Sequence, residues 1–257
     1  MNKFISFLFG LLPETAFKHH LRCFFYNRLQ KNFKIHYNAG LYLVQYNGHT
    51  LKFTHNPYHL LMRDRDYSYK YNLQEGDSVV DAGAFYGVFT VFAAKTVGER
   101  GKVIALEPDL DNYKIVERHI ALNQLNNVVL LGKGLWSTEG ELHFASGKEL
   151  GSTFIVDHDE PTQTTSIPVT TIDTIFQGIP VIKNIFIKMN IEGSEIEAVK
   201  GARQTITKYQ PRFAIRTNHY VDGFYTDSRI EQELHNYGYR TESTVLSELS
   251  TFGWPEH

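Results

Sequence analysis

From Gly76 onward, short and almost wholly apolar runs alternate with stretches of helical spacing, and this alternation limits the fold more than any other feature. Ser78-Val79-Val80, Lys102–Leu106, Val128–Leu131 and Ile185-Phe186-Ile187 have strand length and no polar face. Strands covered on both sides of a parallel sheet have that character. Between them, Val88–Lys95, Asp109–Leu122 and Ser194–Thr207 place apolar residues at helical intervals. Strands alternating with helices predict a doubly wound α/β sheet. Residues 141–172, rich in Ser, Thr and Gly, read as irregular structure or edge strands.

Residues 1–70 have a different pattern. Leu41–Tyr46 and Thr50–Phe53 flank Asn47-Gly48, a strong hairpin signal. Before them lies a basic, aromatic segment in which Lys3, Lys18, Arg22 and Arg28 against Glu14 leave a net charge of +3 over residues 1–30. A helix pair packed on the domain and a segment lying on a membrane surface both fit this pattern. Phe4–Leu12 also resembles the apolar part of a signal peptide, but Pro13-Glu14-Thr15 follows without a small-x-small cleavage pattern. The expected organisation is an N-terminal helical and hairpin extension or lid, residues 1–70, followed by one α/β domain, residues 71–257. The whole chain has 257 residues and a formal net charge of -2. No global basic field points to nucleic acid as a partner. Cys23 is the single cysteine, which excludes an internal disulfide and suits a reducing, cytoplasmic setting with peripheral membrane contact left open. Among the histidines, His55 and His59 have i, i+4 spacing, but Pro57 between them argues against a helical metal pair, so no metal ligand is assigned.

The chemistry-bearing segment is Val79-Val80-Asp81-Ala82-Gly83-Ala84-Phe85-Tyr86-Gly87-Val88. A buried strand ends at an acid, glycines follow, and a helix begins; ligands of open α/β sheets bind at this edge. Phe85 stands where a dinucleotide turn needs its middle glycine, so a pyrophosphate and hence an NAD-type oxidoreductase are disfavoured. A second acid, Glu107, closes the next strand before Pro108. A carboxylate there can accept both hydroxyls of a ribose. The acid and looser turn suit a ligand carrying an ammonium and a carboxylate.

With these residues the sequence resembles class I S-adenosylmethionine-dependent methyltransferases, and within them the FkbM family. The likeness runs over roughly residues 70–220, through Asp81–Gly87, Leu106-Glu107-Pro108, Asn123, Thr170–Asp173, Ile187–Glu195, Gly201-Ala202, Pro211 and His219. It implies a mostly parallel seven-stranded sheet with an antiparallel last hairpin, and O-methylation of a carbohydrate, glycolipid or related natural product. By position, Asp81, Gly83, Ala84, Phe85 and Gly87 are expected at the methionine half of the cofactor, Glu107 at the ribose, and Lys133 near the adenine. Asn190 joins the cofactor set, where the family usually has an acid in Lys-x-Asp-x-Glu-Gly. Arg216 likewise occupies a place that is commonly acidic.

Transfer to an alcohol needs a route for its proton, through a carboxylate, a histidine or a metal. Asparagine has no such basicity. Glu192 and His219 are the catalytic candidates, with Glu195 behind them; the need for a divalent metal is left open. Lys188 is a site cation or a solvated charge, and Asp173 a helix cap. Tyr220, Phe224, Tyr225, Tyr237 and Tyr239 form an acceptor wall or pack the core. A non-catalytic cofactor- or glycan-binding protein of the same fold is the alternative.

Overall fold

The computed structural model describes residues 12–145, 164–181, 183–221 and 223–256. A helix, Ala16–Leu29, leads into three antiparallel strands, β1 (Phe33–Asn38), β2 (Leu41–Tyr46) and β3 (His49–Phe53). At Asn47-Gly48 both residues have positive φ, 46° and 78°, the backbone a two-residue hairpin requires. The expected hairpin is therefore present, and β1 extends it to a three-stranded meander by burying Phe33 and Ile35. A short helix, Tyr58–Asp64, and a 3-10 turn, Arg65–Ser68, complete this segment.

The following strands are β4 (Ser78–Ala82), β5 (Lys102–Leu106), β6 (Val128–Leu131), β7 (Gly134–Leu135), β8 (Gly140–Ala145), β9 (Thr164–Thr170), β10 (Ile185–Met189), β11 (Arg212–Arg216), β12 (Tyr220–Val221), β13 (Phe224–Tyr225), β14 (Tyr239–Val245) and β15 (Leu249–Pro255). Seven of them form one sheet in the order β14-β15-β11-β10-β4-β5-β6. Its five strands from β11 to β6 are parallel, and β15 and β14 return antiparallel. This is the doubly wound, mostly parallel sheet with a last hairpin that the sequence led us to expect. The chain winds outward from β4 to β6 and then crosses back to β10. The carboxyl ends of β4 and β10 therefore adjoin at the switch point, where such sheets open a crevice.

Two expectations change in detail. Ser194–Thr207 is two helices, Glu195–Lys200 and Arg203–Tyr209, rather than one. They part at Gly201, where a Cβ would lie 2.3 Å from the Trp136 carbonyl oxygen. Residues 141–172 carry β8 and β9 at their ends, while 146–163 lie outside the described residues, as do residues 1–11 of the basic, aromatic segment.

The extension shares its core with the sheet. Tyr26, Ile35, Val44, Leu51 and Phe53 fall in one apolar cluster with Val79, Val91 and Phe186. The helix Val88–Val97 lies in that cluster and buries seven of its ten residues, as a helix covered on more than one side must. Among the described residues no helix is long and apolar enough to cross a membrane.

Candidate active site

The glycine turn is tied down from below. Asp81 is fully buried; Lys188 Nζ, on the neighbouring β10, donates to its Oδ1 at 2.8 Å and Thr90 Oγ1 to its Oδ2 at 2.5 Å. The same ammonium donates to the Ala82 and Gly83 carbonyls at 3.2 and 2.7 Å. Burial disfavours the charged lysine, yet Asp81, Tyr67 and Asp64 outweigh it and raise its pKa. Lys188 is thus an internal staple, neither an open site cation nor a solvated charge. Asp81 lies beneath the turn, with both oxygens engaged, and offers no open face to the methionine half of a cofactor.

Four backbone amides of the turn are engaged too. Those of Gly83 and Ala84 reach the Leu106 carbonyl, that of Gly87 reaches Ala84, and that of Phe85 donates to Glu107 Oε2 at 2.6 Å. These four amides are not open to a pyrophosphate. Gly83, at φ 74°, has a packing reason to be glycine, because a Cβ would meet the Asn190 carbonyl oxygen at 2.1 Å.

Glu107 also accepts from the Asp109 amide at 3.1 Å, and its side chain is buried. Burial pushes its pKa up to about 7, against the lowering effect of those two amides. Each oxygen still has room for a further donor, and two ligand hydroxyls would favour the ionised form. Lys133 follows β6, half-exposed and 3.9 Å from Glu139.

Across the switch point the arrangement loosens. Asn190 follows β10, its backbone amide donating to the Ala82 carbonyl at 3.1 Å. The next loop puts Glu192 at φ 56° and Gly193 at φ 101°. Glu195, fully buried, holds this loop by accepting from the Ile191 and Gly193 amides at 2.9 and 3.0 Å. Its Oε1 also lies 2.9 Å from His219 Nδ1, off line for a hydrogen bond, and Glu192 Oε2 lies 3.5 Å from His219 Nε2. Burial opposes protonation of His219, but Glu195, Glu192 and Glu248 prevail and raise its pKa. Burial likewise raises that of Glu192, with His219 acting in the opposite sense. Glu195 therefore braces and orients, while Glu192, still 38% exposed, can meet a ligand.

His219 leads directly into the β12–β13 hairpin, where Tyr220, Phe224 and Tyr225 are exposed. Tyr239, by contrast, is core, with its hydroxyl on the Pro211 carbonyl at 2.8 Å, and Tyr237 packs on the core edge. The acceptor wall of the sequence reading is thus reduced to three aromatics. Asp173 does cap a helix, but the later one: it accepts from the Gln204 and Thr205 amides at 2.9 and 2.7 Å.

Several contacts tie the extension to the sheet domain through pairings that the sequence did not reveal. Arg216, fully buried, is neutralised by Asp66 at 3.2 Å and Glu248 at 3.4 Å, so it clamps the 3-10 turn to the last hairpin. His119 Nε2 accepts from the Thr54 amide at 2.9 Å, which leaves Nδ1 to donate to the Tyr86 carbonyl at 2.7 Å. Asn123 donates to the Lys52 carbonyl and accepts from its amide, both at 2.8 Å. These two residues stitch β3 to the glycine turn.

Among the described residues, six buried side-chain polar atoms lack a hydrogen-bond partner. Those of Arg63, Asp64, Ser194, His219 and Thr226 belong to this edge or the segments over it; that of Ser78 does not. Native interiors satisfy such groups, and a polar ligand at this edge would do so. A groove of about 560 Å³ between the helices Ile172–Gly178 and Arg203–Tyr209 lies apart from this chemistry.

A family model for the methyltransferase FkbM domain matches residues 81–241, more than half of the chain. The chain belongs to the FkbM methyltransferase family. The crystal structure of methyltransferase FkbM from Methylobacillus flagellatus KT superimposes with a TM-score of 0.52 at 23% identity, covering 73% of this chain and 46% of that one. A probable cobalt-precorrin-6B C(15)-methyltransferase (decarboxylating) of Sulfurisphaera tokodaii is 39% identical over 62 residues, 24% of this chain and 32% of its own. Aeropyrum pernix fibrillarin, crystallised with natively bound S-adenosyl-L-methionine, matches at 9% identity and a TM-score of 0.48, over 86% of this chain and 97% of its own. This FkbM protein spans less than half of the Methylobacillus chain and about a third of the precorrin enzyme. Its fold is that of class I methyltransferases, and S-adenosylmethionine is the cofactor of the family. The residues fit that cofactor: Glu107 keeps oxygens able to accept from ribose hydroxyls, and the edge carries unsatisfied polar atoms.

Proposed function

We propose that this protein is an O-methyltransferase that moves the sulfonium methyl of S-adenosylmethionine to a hydroxyl of a carbohydrate or glycolipid. The observation that carries the reading is the Glu192–His219–Glu195 cluster at the carboxyl edge, continuous with the exposed aromatic hairpin. When bound, the cofactor supplies an electrophilic methyl group, and the acceptor oxygen must lose its proton as the new C–O bond forms. Glu192 is placed to receive that proton, because burial strengthens it as a base and His219 beside it stabilises its anion. Glu195 keeps the imidazole in place. The three aromatics offer apolar faces of the kind sugar rings stack on. Glu107, Lys133, Asn190 and the turn Gly83–Gly87 would line the cofactor, with Asp81 holding that turn from below. Among the described residues no group of three or more His, Cys, Asp or Glu is arranged to hold a metal ion.

Label transfer tests this directly. The protein is incubated with S-adenosylmethionine labelled in its methyl group and a panel of sugars and glycolipids, with and without Mg²⁺. Label appearing on a hydroxyl supports the reading. Cofactor binding without transfer to any member of the panel favours the non-catalytic alternative.

A further inference from the structure

An S-adenosyl ligand ends in a zwitterion, an ammonium beside a carboxylate, and a buried site for it needs an acceptor for one and a donor for the other. In the glycine turn Asp81 is sealed and doubly bonded, and the amides of Gly83, Ala84, Phe85 and Gly87 already have partners. The extension brings both groups. Arg63 and Asp64 close the helix Tyr58–Asp64, and Arg63 Nε lies 3.5 Å from Asp64 Oδ1. Both atoms are buried, and neither makes a hydrogen bond. The Asp64 side chain as a whole keeps only 12% exposure.

Their placement spans the crevice. Asp64 lines a small cavity with Val88 and Phe89, the first residues of the helix after the glycine turn. It is within electrostatic reach of Lys188 and Asp81 under that turn, and Arg63 is within reach of Glu192 and Glu248 on the other side. We propose that Arg63 and Asp64 together form the subsite for the amino-acid end of the S-adenosyl ligand, the aspartate taking the ammonium and the arginine the carboxylate. This assignment rests on the cofactor reading above. It gives each orphaned atom a charged partner, and charge-assisted contacts of this kind are the stronger class of hydrogen bond. Burial holds the Asp64 carboxyl up at about 6, although Arg63, Lys188 and Arg216 pull it down. A carboxylate so short of donors gains from an incoming ammonium. The extension would then be part of the cofactor site as well as a cover for the sheet.

The test uses two probes that differ in this end alone. S-adenosylhomocysteine carries the zwitterion, and 5′-methylthioadenosine keeps the nucleoside and sulfur without it. Both are titrated by calorimetry into the full chain, wild type, Asp64→Asn and Arg63→Gln, with melting temperatures recorded. The expected result is that wild type prefers adenosylhomocysteine, and that each variant loses roughly tenfold to a hundredfold in its affinity with methylthioadenosine unchanged. Unchanged adenosylhomocysteine affinity in both variants would make Arg63–Asp64 a structural pair and overturn the assignment. Parallel loss of both probes would also overturn it. Equal wild-type affinity for the two probes removes the subsite while leaving the cofactor reading intact, whereas binding of neither probe removes both. Equal affinity in that wild-type comparison overturns the assignment even where a variant fails to fold, and Asp64→Glu and Arg63→Lys then test the residues by partial retention of the preference.

Discussion

On the β4 side of the crevice Asp81 and four backbone amides of the glycine turn are partnered. Lys188 joins Asp81 to the Ala82 and Gly83 carbonyls, and His119 and Asn123 bind the turn and its helix to β3. On the β11 side, His219 Nδ1, Ser194 Oγ and Thr226 Oγ1 are buried without hydrogen bonds, while a non-glycine residue holds a positive φ on each side, Phe85 at 54° and Glu192 at 56°. Satisfied polar groups build a framework, whereas unsatisfied ones concentrate where a ligand binds. The difference separates residues that keep the edge in shape from those that act at it.

The largest effect should come from breaking the framework. Lys188→Met leaves Asp81 charged and buried without its partner, which costs about 3–5 kcal/mol. Urea unfolding measures it, and an unchanged midpoint would show that the staple bears little.

Next comes the pH response of the stitch. Burial lowers the His119 pKa to about 4 from its ordinary 6.5, against the hydrogen bond to Tyr86. Between those values the unfolded chain takes up a proton that the folded one refuses, so stability is fully present above about 6.5 and falls as pH drops toward 4. The full loss is about 3 kcal/mol. His119→Gln should flatten this part of a stability–pH curve, and an undiminished slope would assign it to another group.

The open side should respond in turnover more than in stability. Glu192→Gln is expected to lower methyl transfer about 100-fold, the low end for a proton acceptor because His219 stays beside it. Affinity for adenosylhomocysteine should be kept. Should turnover match wild type, Glu192 is not the base. His219 then becomes the candidate, and since its pKa is raised its base form grows only as pH rises past that value.

The smallest effect belongs to the hairpin. Phe224 is 70% exposed, so Phe224→Ala should alter stability by less than about 0.5 kcal/mol. It should raise KM for the acceptor alone, and a large drop in melting temperature would make the hairpin part of the framework.

The sheet was legible because its strands are short apolar runs separated by amphipathic helices, a pattern that burial on two faces imposes. Glu107 was legible because a strand end in that position has one characteristic use. Asp81 was visible but not its engagement, because nothing near it in sequence reveals that Lys188, over a hundred residues later, comes up beneath it. Arg63 and Asp64 gave no signal for a similar reason: they lie in an extension outside the recurring pattern, and only folding brings them to the crevice. Arg216 looked like a lost acid, while the structure supplies its acids from Asp66 and Glu248.

Calorimetric titration of adenosylhomocysteine into wild type and Glu107→Ala, at pH 8 where the Glu107 carboxyl is ionised, tests the central claim most directly. The expected result is micromolar binding to wild type, at least tenfold weaker binding to the variant through loss of charged hydrogen bonds, and an undiminished melting temperature. Equal affinities, or no binding to wild type, would contradict a cofactor site on this edge.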